Sequence, residues 1–258
     1  MQDVLKTTRF SIFASMEFNL NVFTQPGAWV SLLTLTFLEI VLGVDNIIFI
    51  SLVTSRLPEG ERKKAQKLGM LMALALRITL LCFIGWILGL TEPLFSVFGK
   101  EITGRALILF FGGLFLIYKS TTEIHHKVTH DEEAEMKTGK GKAFFAVLIQ
   151  IALLDIVFSF DSILTAVGLA KEVIVMIVAV VISMFVMMQF TEPVGKLVTK
   201  YPTLQILALS FLIMIGMTLI MEGLEFHVDK RIVYVSVLFS LIVEVINIRY
   251  RKKTNHPH

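Results

Sequence analysis

Apolar residues run along this chain in long unbroken blocks, without the strict alternation of a half-buried strand. A membrane-crossing helix needs roughly 20 mostly apolar residues. Seven stretches reach or approach that length: 28–54, 68–90, 102–119, 143–170, 173–190, 203–222 and 232–249. The third is the weakest, its purely apolar part running only from Ala106 to Tyr118. Continuous runs exclude a β-barrel, whose strands alternate lipid-facing and lumen-facing residues. The pattern therefore predicts an all-α fold, a polytopic membrane bundle of seven helices. Residues 1–27 hold an apolar patch from Phe10 to Met16 but also Glu17 and Pro26. They read as an outside or interfacial leader, neither a signal peptide nor a span.

Composition agrees. Charged residues are 17% of the 258, against about 25% in soluble domains, and hydrophobic residues are 55%. A soluble enzyme and a disordered chain are both excluded, and the partner of the surface is a lipid bilayer. The single cysteine, Cys82, rules out a disulfide framework or a zinc–thiolate cluster. A net charge of +3, dispersed between apolar blocks, gives no footing for nucleic acid. Lys and Arg do orient the bundle. With seven spans, one compartment holds 7 of them (Lys6, Arg9, Lys100, Arg105, Lys171, Lys230 and Arg231) and the other 16, with Arg77 left inside the second span. The positive-inside rule then predicts an N-terminus outside and a C-terminus, with its 251–258 tail, in the cytoplasm of a cell bounded by this plasma or inner membrane.

The chain repeats itself. At a constant offset of 116 residues, Glu39 falls on Asp155, Asp45 on Asp161 and Asn46 on Ser162, while Ile40, Val41 and Ile47 recur identically. Thr91-Glu92-Pro93 after span two matches Thr191-Glu192-Pro193 after span five. Glu123-Ile124-His125 after span three matches Glu225-Phe226-His227 after span six. A unit of three helices must be inverted in its second copy, an arrangement typical of secondary transporters with midplane sites. Within one membrane domain of about 28–250, the repeats cover about 28–125 and 143–227, with a seventh helix at about 232–249.

The carboxylates carry the chemistry. Glu39 and Asp155 fall near the middle of spans one and four, with Asp45 displaced toward the cytoplasm and Asp161 toward the outside. Each charge at a helix centre costs about 2.5–3.5 kcal/mol on insertion scales, so four of them require a role. At about 100° per residue, Glu39 and Asn46 nearly share a helix face, as do Asp155 and Ser162, whereas Glu39 and Asp45 do not. An unwound turn at Gly43 would bring Asp45 round. The pooled donors are hard oxygens, suited to Mg²⁺, Ca²⁺ or Mn²⁺ and unsuited to Cu⁺. Two other readings stand beside a cation site: acids paired internally, with Arg77 as counter-ion, and a proton relay.

Other features weigh less. Glu244 and Asn247 lie one turn apart in span seven, as an exit-path pair or an interfacial hydrogen bond. The third loop, with His125, His126, His130, Asp131, Glu132, Glu133 and Glu135, reads first as a solvated linker and second as a metal sensor. Glu222, Glu225, His227 and Asp229 read as ordinary interfacial polarity or as an acidic outer mouth. Met184, Met187 and Met188 read as packing. No nucleotide-binding loop or catalytic triad is present, so no enzymatic activity and no cofactor are expected.

At Phe37-Leu-Glu-Ile-Val-Leu-Gly-Val-Asp-Asn-Ile-Ile-Phe49 and Asp155-Ile-Val-Phe-Ser-Phe-Asp-Ser-Ile163 the chain resembles the TerC family of integral membrane proteins, over roughly residues 26–250. Alx-like members of that family are manganese exporters. The resemblance implies Mn²⁺ efflux, with Glu39, Asp45, Asn46, Asp155, Asp161 and Ser162 at the matching positions. A gradient would have to drive it, and proton antiport fits the carboxylate chemistry. An exporter of small organic solutes and a non-transporting stress-response scaffold are the alternatives.

Overall fold

The computed structural model describes residues 20–97, 100–129, 140–170, 172–226 and 228–254. The 1–19 part of the expected leader, the acidic run of the third loop and His227 lie outside these residues. A short 3-10 turn, Leu20–Thr24, precedes α1, Pro26–Thr54. Proline in the first turn removes an N–H that no helix bonds internally, so it starts α1 and again α7, Pro202–Gly223, at no loss. Tyr201 before Pro202 is extended, as a residue preceding proline tends to be, and separates α7 from α6, Val173–Lys200.

α2 spans Glu59–Cys82, with Glu59 and Glu61 in its first turn, where the helix dipole favours acids. It stops at Phe83 (φ −99°, ψ 25°), and a separate short helix, α3, covers Ile84–Gly89. The 68–90 stretch is thus broken near its C-terminal end, where Gly85 and Gly89 lower helix propensity. Strands β1 (Pro93–Val97) and β2 (Lys100–Thr103) follow as an antiparallel hairpin, pairing Pro93 with Thr103 and Val97 with Lys100. This two-stranded hairpin is a local insertion in an otherwise all-helical bundle. It falls outside the long apolar runs, where β-competent Leu94-Phe95-Ser96-Val97 meets its partner locally.

α4, Gly104–Thr129, opens with the Thr103 hydroxyl accepting the Ala106 N–H at 3.0 Å, an N-cap. It runs ten residues beyond the predicted end at 119. α6 likewise continues through Thr191-Glu192-Pro193, with Pro193 inside it, so that motif does not end the helix as its counterpart Thr91-Glu92-Pro93 does. α5, Lys140–Leu169, and α8, Lys230–Thr254, complete the chain. Six helices among the described residues are long and apolar enough to cross a membrane: α1, α2, α4, α6, α7 and the Ala143–Leu169 part of α5.

α1 runs without interruption through Gly43, so the unwound turn expected there is absent. Gly43 is buried, and a Cβ at this position would overlap Met187 Sδ of α6. Its small size lets α1 approach α6; it does not mark a hinge.

α1 packs on α6, α4 on α7, α2 on both α5 and α6, α1 also on α5, and α8 on α7. The buried apolar side chains form two clusters. One includes Ile47 to Val53 of α1, Met70 and Ala73 of α2, Ile151 and Leu154 of α5, and Met184 and Met187 of α6. The other takes Ala28 to Leu35, Leu81 with Ile84 of α3, Phe160 to Ala166, and Val175 to Val180. Between the two, in α1, α2, α5 and α6 respectively, lie the buried polar residues Glu39, Arg77, Asp155 with Ser159, and Ser183. The bundle has a polar waist between two apolar halves.

Candidate functional site

Three helices deliver one charged side chain each to that waist. Glu39 of α1, Arg77 of α2 and Asp155 of α5 are all about 3–4% exposed. Arg77 donates from Nε and Nη2 to Asp155 Oδ1, each at 3.1 Å, and from Nη1 to Glu39 Oε2. Ser159, one turn beyond Asp155, donates its hydroxyl to Asp155 Oδ2 at 3.2 Å. The planar guanidinium thus bridges two carboxylates from different helices, a geometry its fixed fork of donors suits. Arg77 stands in the counter-ion position the sequence allowed for it.

The six repeat-matched positions divide. Glu39 and Asp155 meet through Arg77. Ser162 is buried but donates to the Ser159 carbonyl at 3.3 Å, a bond back within its own helix. Asn46 is half-buried in α1, one residue beyond Asp45. Asp45 lies in α1, and its side chain falls outside the described residues. Asp161 turns away from Asp155, as six residues of regular helix require. It accepts from Arg105 Nη2 of α4 at 3.3 Å, with Glu222 Oε2 of α7 4.0 Å from the same nitrogen. Among the described residues, no group of three or more His, Cys, Asp or Glu is disposed to hold a metal ion.

Sequence reasoning missed two contributors. Ser159 stood unremarked inside the second acidic motif, although i, i+4 spacing from Asp155 puts it on the same face. Glu123 served only as a repeat marker. It is buried in α4, and its carboxylate takes two parallel bonds from Arg56, just past the end of α1: Nε to Oε1 at 2.9 Å, and Nη2 to Oε2. Arg56–Glu123 lies at the bundle end opposite Arg105–Asp161, where α1 ends and α4 approaches its own end. Near the same end Glu192 of α6 pairs with Lys63 at 2.8 Å and Lys196 at 3.0 Å. Glu244 of α8 accepts from Thr203 of α7 and from Asn247 Nδ2 at 3.3 Å.

In charge terms the waist holds two carboxylates and one guanidinium. With both acids ionised it carries one net negative charge in a setting of low dielectric, where a further proton or cation is strongly attracted.

Residues 24–256 match the family described as "Integral membrane protein TerC family". A UPF0053 protein of Haemophilus influenzae is 51% identical over 228 residues, 88% of this chain and 96% of that protein. The UPF0053 inner membrane protein YgdQ of Escherichia coli K12 is 48% identical over 230 residues, covering 89% and 96%. The longer UPF0053 inner membrane protein YoaE of the same organism is 46% identical over 224 residues, 86% of this chain but 43% of YoaE. No solved structure matches.

Proposed function

The chain belongs to the TerC family of integral membrane proteins, and from that premise we propose that it is a secondary transporter that exports a divalent cation, Mn²⁺, from the cytoplasm. One observation carries this reading. Glu39 and Asp155, at matching positions of two helices, converge in a polar waist sealed above and below by apolar clusters. Charged groups so buried are expensive to keep, and inside a membrane bundle they mark ion pathways. Their oxygens suit hard divalent ions, and within that class the resemblance drawn from the two acidic motifs favours Mn²⁺. Glu39, Asp45, Asn46, Asp155, Asp161 and Ser162 are the proposed ligands along the path, with Glu39 and Asp155 at its centre.

The packing pattern supports the inverted repeat. Exchanging helices α1, α2, α4 for α5, α6, α7 turns the α1–α6 contact into α5–α2 and leaves α4–α7, α1–α5 and α2–α6 in place. All of these contacts exist. In this reading α8 is a seventh, peripheral span beside α7, the N-terminus is outside and the C-terminus cytoplasmic. The names of the Escherichia coli relatives support an inner-membrane location. Protons entering from outside would neutralise carboxylates and loosen their hold on the metal, which couples export to the pH gradient.

The test is flux. Purified protein in liposomes moves Mn²⁺ down an imposed pH gradient, and Glu39→Gln with Asp155→Asn abolishes the movement. If the unaltered protein moves no Mn²⁺ in either direction, the transport reading fails and the waist is a static ion lock in a membrane scaffold. If Mn²⁺ moves equally without a pH gradient, only the antiport part fails. Orientation is read separately. In a Cys82→Ser background, Ser96→Cys reacts with an impermeant maleimide on intact cells and Lys63→Cys only after permeabilisation.

A further inference from the structure

The carboxylates proposed as the centre of the path are already engaged. Arg77 donates three hydrogen bonds to the pair, two to Asp155 Oδ1 and one to Glu39 Oε2. A cation that uses these two oxygen donors must therefore take them from Arg77. We propose that Arg77 is a tethered counter-cation: it occupies the Glu39–Asp155 pair, yields it to a divalent ion during transport, and reclaims it to force release. This rests on the transport reading above and assigns the specificity of that site.

Charge arithmetic supports the role. The carboxylate pair carries two negative charges, and Arg77 neutralises one. A divalent ion taking the pair neutralises both, and the exchange is favourable once the displaced guanidinium reaches water or another acceptor. A monovalent ion replacing Arg77 gains nothing in charge. It must also displace a competitor that is covalently attached, and hence present at high effective concentration, and held by three hydrogen bonds. Arg77 therefore acts as a charge filter, admitting divalent and excluding monovalent cations without a size-selective cage.

The bonding is uneven in a way that suits stepwise exchange. Asp155 holds Arg77 through two N–H groups and is itself braced by Ser159. Glu39 holds it through one. An arriving ion wins Glu39 first and Asp155 second. Return of the guanidinium to the braced Asp155 begins release. α1, which carries Glu39, is the element whose displacement opens the pair.

The experiment compares the full-length protein with Arg77→Gln and Arg77→Lys, using Mn²⁺ itself as probe. Equilibrium binding in detergent and initial flux in liposomes are measured, each with and without excess Na⁺ or K⁺. Arg77→Gln is expected to bind Mn²⁺ at least tenfold more tightly, to turn over at least tenfold more slowly, and to become inhibited by Na⁺ or K⁺. Arg77→Lys, whose compact ammonium cannot bridge both carboxylates, is expected to fall between the two. It carries the same comparison if Arg77→Gln does not fold. A purely structural arginine would lower stability and flux without tightening Mn²⁺ binding or admitting monovalent inhibition, and that outcome overturns the proposal while leaving Mn²⁺ transport by the unaltered protein standing. If the unaltered protein neither binds nor moves Mn²⁺, the transport reading falls and this inference falls with it.

Discussion

Gly113 of α4 and Gly216 of α7 meet backbone to backbone. A Cβ on Gly113 would stand 2.5 Å from the Gly216 carbonyl oxygen, and one on Gly216 would stand 2.9 Å from the Gly113 carbonyl oxygen. In lipid, where apolar side chains gain little by leaving solvent, close backbone approach of this kind is a main source of helix association. Ile117 and Ile220 side chains crowd the same sites and could shift, but the two opposing carbonyl oxygens are main chain and cannot give way easily. Gly113→Ala and Gly216→Ala are each expected to lower stability by about 1–3 kcal/mol. Gly168→Ala in α5, with nothing within 4 Å, is expected to change it little. Thermal unfolding in detergent distinguishes these outcomes, and equal melting temperatures for all three variants would contradict the close contact.

The Glu39–Arg77–Asp155 trio separates stability from function. Removing Arg77 leaves two buried carboxylates without their counter-ion, so Arg77→Ala is expected to cost about 3–5 kcal/mol. Replacing all three together by apolar residues of similar volume (Glu39→Leu, Arg77→Met, Asp155→Leu) removes the desolvation penalty with the charges. That triple variant is expected to be as stable as the natural protein, or more stable by about 1–4 kcal/mol. It is also expected to carry no cation. A triple variant that unfolds would mean the trio is structural; one that still transports would place the path elsewhere.

How far the sequence could be read depended on what each signal measures. Hydropathy found the six helices that, among the described residues, are long and apolar enough to cross a membrane, because lipid exposure demands continuous apolar character. It could not find helix that extends past the apolar run. α4 carries on through Lys119, Glu123 and Lys127, and α6 through Glu192, Lys196 and Lys200, as polar helix held by ion pairs such as Arg56–Glu123 and Lys63–Glu192. Pro193 looked like a stop, but a proline within a packed helix is tolerated when neighbours fix the backbone. Gly43 looked like a hinge because glycine permits both unwinding and close packing, and only the position of Met187 decides between them. The acids of the waist were legible because intramembrane charge is rare. Their mutual approach through Arg77 was legible only as one option, since contacts between helices 38 and 78 residues apart in sequence are set by tertiary packing.

Arg56 and Glu123 tie the loop after α1 to α4 through two parallel N–H···O bonds, with the acid side chain 10% and the arginine 26% exposed. Charge-assisted bonds of this kind contribute about 1.5–3 kcal/mol each in favourable settings, reduced here by partial solvent access. Glu123→Gln keeps one acceptor and is expected to destabilise by about 1 kcal/mol, and Glu123→Ala by more. A double-mutant cycle with Arg56→Ala reads the coupling directly. Additive losses would show that the two side chains do not support one another.

Arg105 and Asp161 make a looser contact at the opposite end, 3.3 Å apart with side chains 38% and 18% exposed. A pair this open to solvent contributes little to folding, about 0–1 kcal/mol. Asp161 nevertheless stands at the second acidic position of its sequence motif, six residues beyond Asp155. If it lies on the cation path, Asp161→Asn should slow Mn²⁺ flux several-fold while the melting temperature stays within a degree or two. Arg105→Gln should do the opposite to flux, because it frees the carboxylate from a competing cation, and it should be equally silent in stability. Flux that is unchanged in both variants would remove Asp161 from the path. A melting temperature that falls in step with flux would make the pair structural instead.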